Sequence, residues 1–66
     1  MPYVQVQITR ERNTVEQKTA IIQGVTQVLV DVLGKDPQTT FVVIEEVELD
    51  NWGIGGESVR DRRASP

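Results

Sequence analysis

Apolar and polar residues alternate strictly at the start of the chain. Val4, Val6 and Ile8 fall on one side of an extended backbone, and the residues between them fall on the other. A period of two is typical of a β-strand with one buried face. The pattern predicts a first strand from Tyr3 to Ile8, followed by a polar connection over residues 9–13.

The apolar period changes to that of a helix after this connection. Thr14 and Gln17 match a capping box, in which each side chain bonds the backbone N–H of the other. Gly34 suits a left-handed helix cap, and Pro37 cannot continue a helix. The predicted helix runs from Val15 to Leu33. Its apolar stripe consists of Ile21, Ile22, Val25, Val28, Leu29, Val32 and Leu33.

A continuous apolar run follows the helix, from Phe41 to Ile44, and Val47 extends it. Such a run predicts a strand that is buried on both faces, and Glu45 and Glu46 are interpreted as a solvated strand end. A strand, a crossover helix and a second strand predict a β-α-β unit with parallel strands and a right-handed crossover. The fold class is therefore α/β (α+β).

The last third of the chain is rich in turn residues. Three glycines surround Trp52 and Ile54, which predicts a C-terminal hairpin or loop. Residues 60–66 are polar and are predicted to form a frayed tail. The chain has no internal repeat and no linker, so residues 1–66 are predicted to form a single domain.

Two strands and one helix cannot cover both faces of a sheet. A two-stranded sheet is not independently stable, and so short a chain buries only about 60% of its unfolded surface. The absence of Cys and His excludes disulfides and the usual zinc and copper sites. Oligomerisation is the remaining way to supply a core, so the chain is predicted to self-associate.

Charge and hydropathy exclude several classes of partner. The net charge is -3, and the basic cluster at Arg60, Arg62 and Arg63 contains Asp61. This cluster is interpreted as a solvated tail or a subunit contact, so no nucleic-acid partner is expected. No apolar run approaches the ~20 residues that span a bilayer, and no signal peptide is recognisable. The expected location is cytoplasmic.

The N-terminus carries the most distinctive candidate chemistry. Met1 precedes Pro2, and aminopeptidases remove an initiator Met before a small residue. Cleavage leaves a prolyl secondary amine, and an α-amino group titrates near pH ~8. Such a group suits general-base work close to neutrality. The alternative is that Pro2 is simply a common second residue.

Two further positions have both a structural and a functional interpretation. Arg10 and Arg12 lie between the first strand and the helix. They are either part of a solvated loop or a clamp for a carboxylate, to which arginine offers paired donors. Trp52 is either an aromatic residue of an oligomer core or the wall of a pocket.

These features occur together in one known family. The shared segments are the Met1-Pro2 start, the alternating strand, the arginine-bearing turn, Glu16-Gln17-Lys18 and Trp52-Gly53-Ile54-Gly55-Gly56-Glu57. In this combination the chain resembles the short-subunit 4-oxalocrotonate tautomerases of the tautomerase superfamily. The resemblance covers nearly all of residues 2–57.

The resemblance implies a homohexamer, a trimer of dimers, that needs no metal or organic cofactor. It implies that Pro2 is the general base that moves a proton between oxygen and carbon of an enol or 2-oxo acid. Arg10 or Arg12 matches the family's carboxylate-binding arginine, and Trp52 matches a pocket phenylalanine. Phe41 stands where dicarboxylate tautomerases have an arginine. A substrate with one carboxylate and an apolar tail, in contact with Phe41 and Trp52, is therefore expected.

Two alternatives remain open at this point. One is hydration or dehalogenation of 3-substituted acrylic acids, which is known in the same superfamily. That chemistry needs a group that activates water, for which Glu45, Glu46 or Glu57 is available. The other is a non-catalytic oligomeric binding module, which a retained Met1 would favour.

Overall fold

A two-stranded parallel sheet with one long helix forms the body of the molecule. The computed structural model describes residues 1–64. Its elements are β1 (Tyr3–Thr9), α1 (Val15–Leu33), β2 (Phe41–Val47), β3 (Gly53–Ile54), β4 (Glu57–Ser58) and α2 (Val59–Ala64). Single 3-10 turns, Pro37–Thr39 and Leu49–Asn51, precede β2 and β3.

Local signals define both ends of α1. The Thr14 hydroxyl accepts the Gln17 N–H at 3.0 Å, and the Gln17 side chain accepts the Thr14 N–H at 2.9 Å. Gly34 ends the helix at a φ of 65°, a left-handed conformation that glycine adopts without steric cost. The predicted helix is therefore confirmed. Among residues 1–64, no helix is long and apolar enough to cross a membrane.

Strands β1 and β2 pair in parallel, with Tyr3 opposite Phe41 and Thr9 opposite Val47. This pairing confirms the predicted β-α-β unit. Helix α1 packs against β2, and alternate positions of both strands are half-buried. The alternating half-buried positions on the two strands are Val4, Val6, Ile8, Val42, Ile44 and Glu46, and the last residue of each strand, Thr9 and Val47, is half-buried as well.

The other side of the sheet, called here the open face, is uncovered. It consists of Tyr3, Gln5, Gln7, Phe41, Val43 and Glu45, all of them exposed. Tyr3 is 61% and Phe41 is 50% exposed. The expectation that β2 is buried on both faces is therefore wrong within one chain, because α1 covers only one side of the sheet.

The C-terminal segment is more ordered than its composition suggests. Strands β3 and β4 pair antiparallel, which confirms the predicted hairpin. Gly55 and Gly56 join them at φ values of 60° and 88°, as a type I′ turn requires. The hairpin is followed by α2, so the predicted frayed tail is wrong for residues 60–64. Ser65 and Pro66 lie outside the described residues.

Two contacts account for the second helix. The Ser58 hydroxyl accepts the Asp61 N–H at 3.1 Å, which caps the first turn. The Val59 N–H donates to the Trp52 carbonyl at 2.7 Å. Val59 is also the single buried apolar residue among the described residues, at 7% exposure. The small core of the chain therefore lies where α2 meets the turn before β3.

The surface area and the radius of gyration of the chain are larger than those of a compact monomer of the same length. Its accessible surface is 5034 Å², whereas a compact monomer of this mass has about 4,200 Å². Its radius of gyration is 15.3 Å, against about 11 Å for a compact domain of this length. The chain is 47 Å long in its largest dimension. Both comparisons indicate that apolar surface is left for another chain to cover.

We expect the protein to self-associate, because the open face leaves Tyr3, Phe41 and Val43 in water. Sedimentation equilibrium at micromolar concentration should give a hexamer, or at least a dimer. Val43→Lys places a charge on the open face and should weaken the assembly, whereas the matched change Gln23→Lys on the exposed side of α1 should not. A stable, folded monomer of the unmodified chain would contradict this expectation.

Candidate functional site

The candidate site residues lie at opposite ends of the sheet, called here the first end, where β1 and β2 begin, and the second end, where they finish. Pro2 and Phe41 are at the beginning of the two strands, whereas Arg10 and Arg12 follow the end of β1. The eight residue-to-residue steps from Pro2 to Arg10 span about 26 Å at the rise of an extended strand. Trp52 lies at the second end, where it lines clefts with Gln7, Thr9 and Val47. A single chain therefore does not bring these five residues together.

At the first end, the sheet fixes Pro2 beside Phe41. The Pro2 carbonyl accepts the Phe41 N–H at 2.9 Å, and the next residues pair as Tyr3 and Phe41. Pro2 is half-buried, whereas Met1 is 86% exposed. With Met1 attached, the Pro2 nitrogen is part of a peptide bond. Removal of Met1 would expose a secondary amine next to the exposed apolar side chains of the open face.

At the second end, Trp52 separates two concave surfaces. The larger cleft, of about 600 Å³, is mainly apolar, and a smaller one of about 340 Å³ shares Gln7 and Trp52 with it. The larger cleft is lined by Gln7, Ile8, Thr9, Trp52, Ile54, Val59, Arg62 and Arg63. Trp52 is half-buried, so one part of its ring system faces protein while another part is free to contact a ligand or a second chain.

The connection between β1 and α1, called here the arginine turn (residues 10–14), holds its two arginines differently. The Arg10 N–H donates to the Val47 carbonyl at 2.8 Å, and its side chain forms an ion pair with Glu48 at 3.2 Å. Arg12 has no hydrogen-bond or ion-pair partner among residues 1–64. Its guanidinium is therefore the one in this turn that is available to a carboxylate.

The backbone of Arg12 is strained. Its φ is 62°, and no other described residue except glycine has a positive φ. For an L-residue this left-handed conformation costs about 1–2 kcal/mol. Strained residues of this kind persist only where their surroundings fix them, and they concentrate at functional sites.

A polar network on the covered side of the sheet supports the arginine turn. The Asn13 amide donates to the Thr9 carbonyl at 3.1 Å and to Glu46 Oε2 at 3.1 Å. Lys18, in the first turns of α1, donates to Glu46 Oε1 at 2.7 Å. The hydrogen bonds from Lys18 and Asn13 hold the pKa of the Glu46 carboxyl below its usual value. The network therefore joins β1, α1 and β2 below the turn.

This network corrects the sequence interpretation of Glu45 and Glu46. Both lie within β2, not beyond its end. Glu46 is half-buried and paired with Lys18, whereas Glu45 lies on the open face and accepts the side-chain amides of Gln5 at 3.1 Å and Gln7 at 3.2 Å. Alternation along β2 is the signal that placed Glu46 on the covered face with Val42 and Ile44. Sequence reasoning missed Asn13 and Lys18, whose roles depend on that placement.

A second ion pair ties the arginine turn to the C-terminal helix. The Arg63 guanidinium in α2 donates to Glu11, which also accepts the Thr9 hydroxyl. These hydrogen bonds hold the pKa of Glu11 below its usual value, and the bond from Arg63 has the larger effect of the two. Arg62, on the same helix, has no hydrogen-bond or ion-pair partner among residues 1–64 and lines the larger cleft. The second end of the molecule therefore presents cations beside an indole, which is suited to an anion with an apolar part.

Comparison with known proteins identifies the family to which this chain is similar. The family model described as a tautomerase enzyme matches residues 2–62. A probable tautomerase of Dickeya dadantii is 64% identical over 63 residues, which cover 96% of this chain and 94% of that protein. The 2-hydroxymuconate tautomerase of Pseudomonas putida is 39% identical over 92% of this chain and 95% of its own. The crystal structure of TomN, a 4-oxalocrotonate tautomerase homologue in the tomaymycin biosynthetic pathway, matches with a TM-score of 0.92 and 31% identity over 98% of both chains.

The depressed pKa of Glu46 predicts a pH dependence of stability. A carboxyl whose pKa is lower in the folded chain stabilises it above the unfolded pKa, near ~4.3, and loses this contribution as the pH falls through the folded value. Glu46→Gln should therefore lower the urea midpoint at pH ~7, and the difference from the unmodified protein should shrink toward pH ~3.

The matched control is Glu45→Gln, because among the described residues Glu45 accepts only from the neutral Gln5 and Gln7 amides. It should change the midpoint at neutral pH less than Glu46→Gln does. All samples need the same protein concentration, since association also stabilises the fold. A Glu46→Gln difference that stays constant from neutral to acid pH would rule out this role for the Glu46 carboxylate.

Proposed function

Because the chain belongs to the tautomerase family, whose model matches residues 2–62, we propose that it moves a proton between oxygen and carbon of an enol or 2-oxo acid, with Pro2 as general base. The resemblance to 4-oxalocrotonate tautomerases is confirmed by the relatives and by TomN, and the protein is a tautomerase, an isomerase. The observation that carries the proposal is the position of Pro2, half-buried at the start of β1 and bonded to Phe41.

The proposed reaction uses only functional groups of the protein itself. After removal of Met1, the secondary amine of Pro2 takes the proton from the enol oxygen or from the carbon α to the carbonyl. The resulting prolinium returns this proton to the other atom, so the amine is regenerated. Apolar surroundings disfavour the charged form of an amine and keep it available as a base near neutral pH. No metal or organic cofactor is required for these steps.

The proposed site is completed by more than one chain. Pro2 and the arginine turn are about 26 Å apart along β1, which exceeds the length of a small 2-oxo acid. The exposed side chains of Tyr3, Phe41 and Val43 surround the Pro2 end, and a second chain that covers them can bring its own Arg12 and Trp52 to Pro2. This arrangement fits the homohexamer, a trimer of dimers, that the family resemblance implies.

Within the arginine turn, we assign carboxylate binding to Arg12. Arg10 is paired with Glu48 at 3.2 Å, so a substrate carboxylate would have to displace that partner. Arg12 has none among the described residues, and a guanidinium can hold a carboxylate through two parallel hydrogen bonds. It would also stabilise the negative charge that develops on the enolate.

Tautomerisation is preferred over hydration or dehalogenation because two of the candidate water-activating carboxylates are already engaged. Glu46 accepts from Lys18 and Asn13, and Glu45 accepts from Gln5 and Gln7. Donors of the chain thus already occupy the oxygens of both carboxylates, and the third candidate, Glu57, lies in β4 of the C-terminal hairpin. The proposed site therefore relies on Pro2.

The first test is the replacement of the base. Pro2→Ala leaves a primary amine of different geometry and should lower kcat for an enol 2-oxo acid by about 10²-fold or more, as general bases typically contribute. A preparation that retains Met1, verified by intact mass, should be at least as impaired. Sedimentation should confirm that both proteins assemble normally. Full activity in both would remove Pro2 from the mechanism.

The second test concerns the substrate. Phe41 offers no donor to a second carboxylate, and burial of an unpaired charge is costly. We therefore expect kcat/KM to be higher for phenylenolpyruvate, which has one carboxylate and a ring, than for 2-hydroxymuconate, which has two. Phe41→Arg should move the ratio toward the dicarboxylate, whereas Phe41→Gln, polar but uncharged, should not. A tenfold preference of the unmodified protein for the dicarboxylate, about 1.4 kcal/mol, would overturn this assignment.

A further inference from the structure

Arg12 combines an unusual backbone conformation with an unpaired side chain. Its backbone is held in the left-handed region at a φ of 62°, which is unfavourable for a residue with a Cβ atom. Its side chain, in contrast, has no hydrogen-bond or ion-pair partner among residues 1–64. The chain thus fixes the backbone of this residue while leaving the guanidinium free, which is the arrangement expected for a side chain that must be aimed at a ligand.

The structure identifies what fixes this backbone. The arginine turn is anchored at its start by the Arg10 N–H on Val47 and at its end by the capping box of Thr14. Between these anchors, the Asn13 amide bridges the Thr9 carbonyl and Glu46 at 3.1 Å each. The Thr9 and Glu46 partners come from different strands, so the bridge ties the turn to both strands at once.

Lys18 completes the support by holding Glu46. Its ammonium donates to the second carboxylate oxygen at 2.7 Å, and the two side chains are only 30% and 18% exposed. Both oxygens of Glu46 are thus occupied by donors from the turn and from α1. A carboxylate held in this way cannot rotate without losing a bond, so it is a rigid acceptor for Asn13.

We propose that Asn13, Glu46 and Lys18 are positioning residues that hold the Arg12 guanidinium in the direction of a substrate carboxylate. This inference rests on the proposed function, in which Arg12 binds that carboxylate. None of the three needs to touch the substrate. Their contribution is to maintain a strained turn, so that the guanidinium is oriented before the substrate arrives.

The test distinguishes a loss of the orientation of the Arg12 side chain from a general loss of protein stability. It compares kcat/KM for phenylenolpyruvate with kcat/KM for its methyl ester, in which the carboxylate is neutralised. Arg12→Ala should lower the value for the acid and leave the ester nearly unchanged. Asn13→Ala should lower the acid value by about tenfold more than the ester value, which is the scale of one lost hydrogen bond to a charged group. In the double variant, the loss of acid-over-ester selectivity should equal that of Arg12→Ala alone.

The matched control is Gln27→Ala, which also removes an amide donor from a carboxylate, Asp31, at 2.7 Å on the exposed side of α1. This variant should leave kcat/KM unchanged for both the acid and the ester. Lys18→Gln offers a milder change of the same network if Asn13→Ala does not fold, as checked by circular dichroism, and it should also reduce the acid-over-ester ratio. Equal losses for acid and ester in Asn13→Ala or Lys18→Gln would overturn the inference and leave a purely structural network.

The result for Arg12→Ala identifies which proposal fails. If Arg12→Ala leaves the acid-over-ester ratio unchanged, the assignment of carboxylate binding to Arg12 fails, and the positioning role fails with it. If Arg12→Ala abolishes the selectivity while Asn13→Ala and Lys18→Gln preserve it, the proposed function stands and the positioning role alone is overturned. The effect of Pro2→Ala is independent of both outcomes.

Discussion

A sheet has two faces, and this chain has one long helix to cover them. Because α1 packs on one side of the β1–β2 pair, the other side leaves Tyr3, Phe41 and Val43 in contact with water. The excess surface and the elongated shape follow from the same shortage. The candidate site residues are divided for another reason, which is that Pro2 and the arginine turn lie at opposite ends of β1. A second chain that covers the open face can supply the apolar contacts that this chain lacks.

Most of the charged residues around the arginine turn are paired with one another. Exposed ion pairs such as Arg10 with Glu48 and Arg60 with Asp50 typically contribute about 0–1 kcal/mol. Around the arginine turn, ion pairs occupy Arg10, Arg63 and the half-buried Lys18, each with its own carboxylate. Within the turn, Arg12 is the cation left without a partner among residues 1–64. Selective pairing of this kind makes Arg12 different from Arg10, two residues earlier in the chain.

The sequence predicts those parts of the fold that depend on neighbouring residues. The bounds of α1 follow from the capping box at Thr14 and from Gly34, both local signals. The place of Glu46 on the covered face of β2 was missed because Glu46 is polar, and its half-buried position depends on Lys18 and Asn13, which lie 28 and 33 residues away. Helix α2 was missed because six residues carry little helical pattern of their own. Its first turn is stabilised by Ser58 and by the contact of Val59 with the Trp52 carbonyl.

In the candidate site, too, some features depend on neighbouring residues and others depend on residues that are distant in sequence. Pro2, Trp52 and the pair Arg10 and Arg12 are recognisable by residue type and by the resemblance to a family, but the sequence does not choose between the two arginines. The conformation of Arg12 has no sequence signature, because arginine is not a residue that favours a positive φ. It depends on the bridge from Asn13 to Thr9 and Glu46, which brings together residues from three elements.

The open face also has a direction. Its apolar side chains, Tyr3, Phe41 and Val43, lie toward the Pro2 end, while Gln5 and Gln7 hold Glu45 toward the other end. A neighbouring chain that slides along the strands would therefore exchange apolar contacts for contacts with a hydrogen-bonded carboxylate. This polarity gradient favours docking over the Pro2 end and penalises displacement along the strand axis. For any chain that covers this face, the order of its six side chains restricts the alignment along the strands.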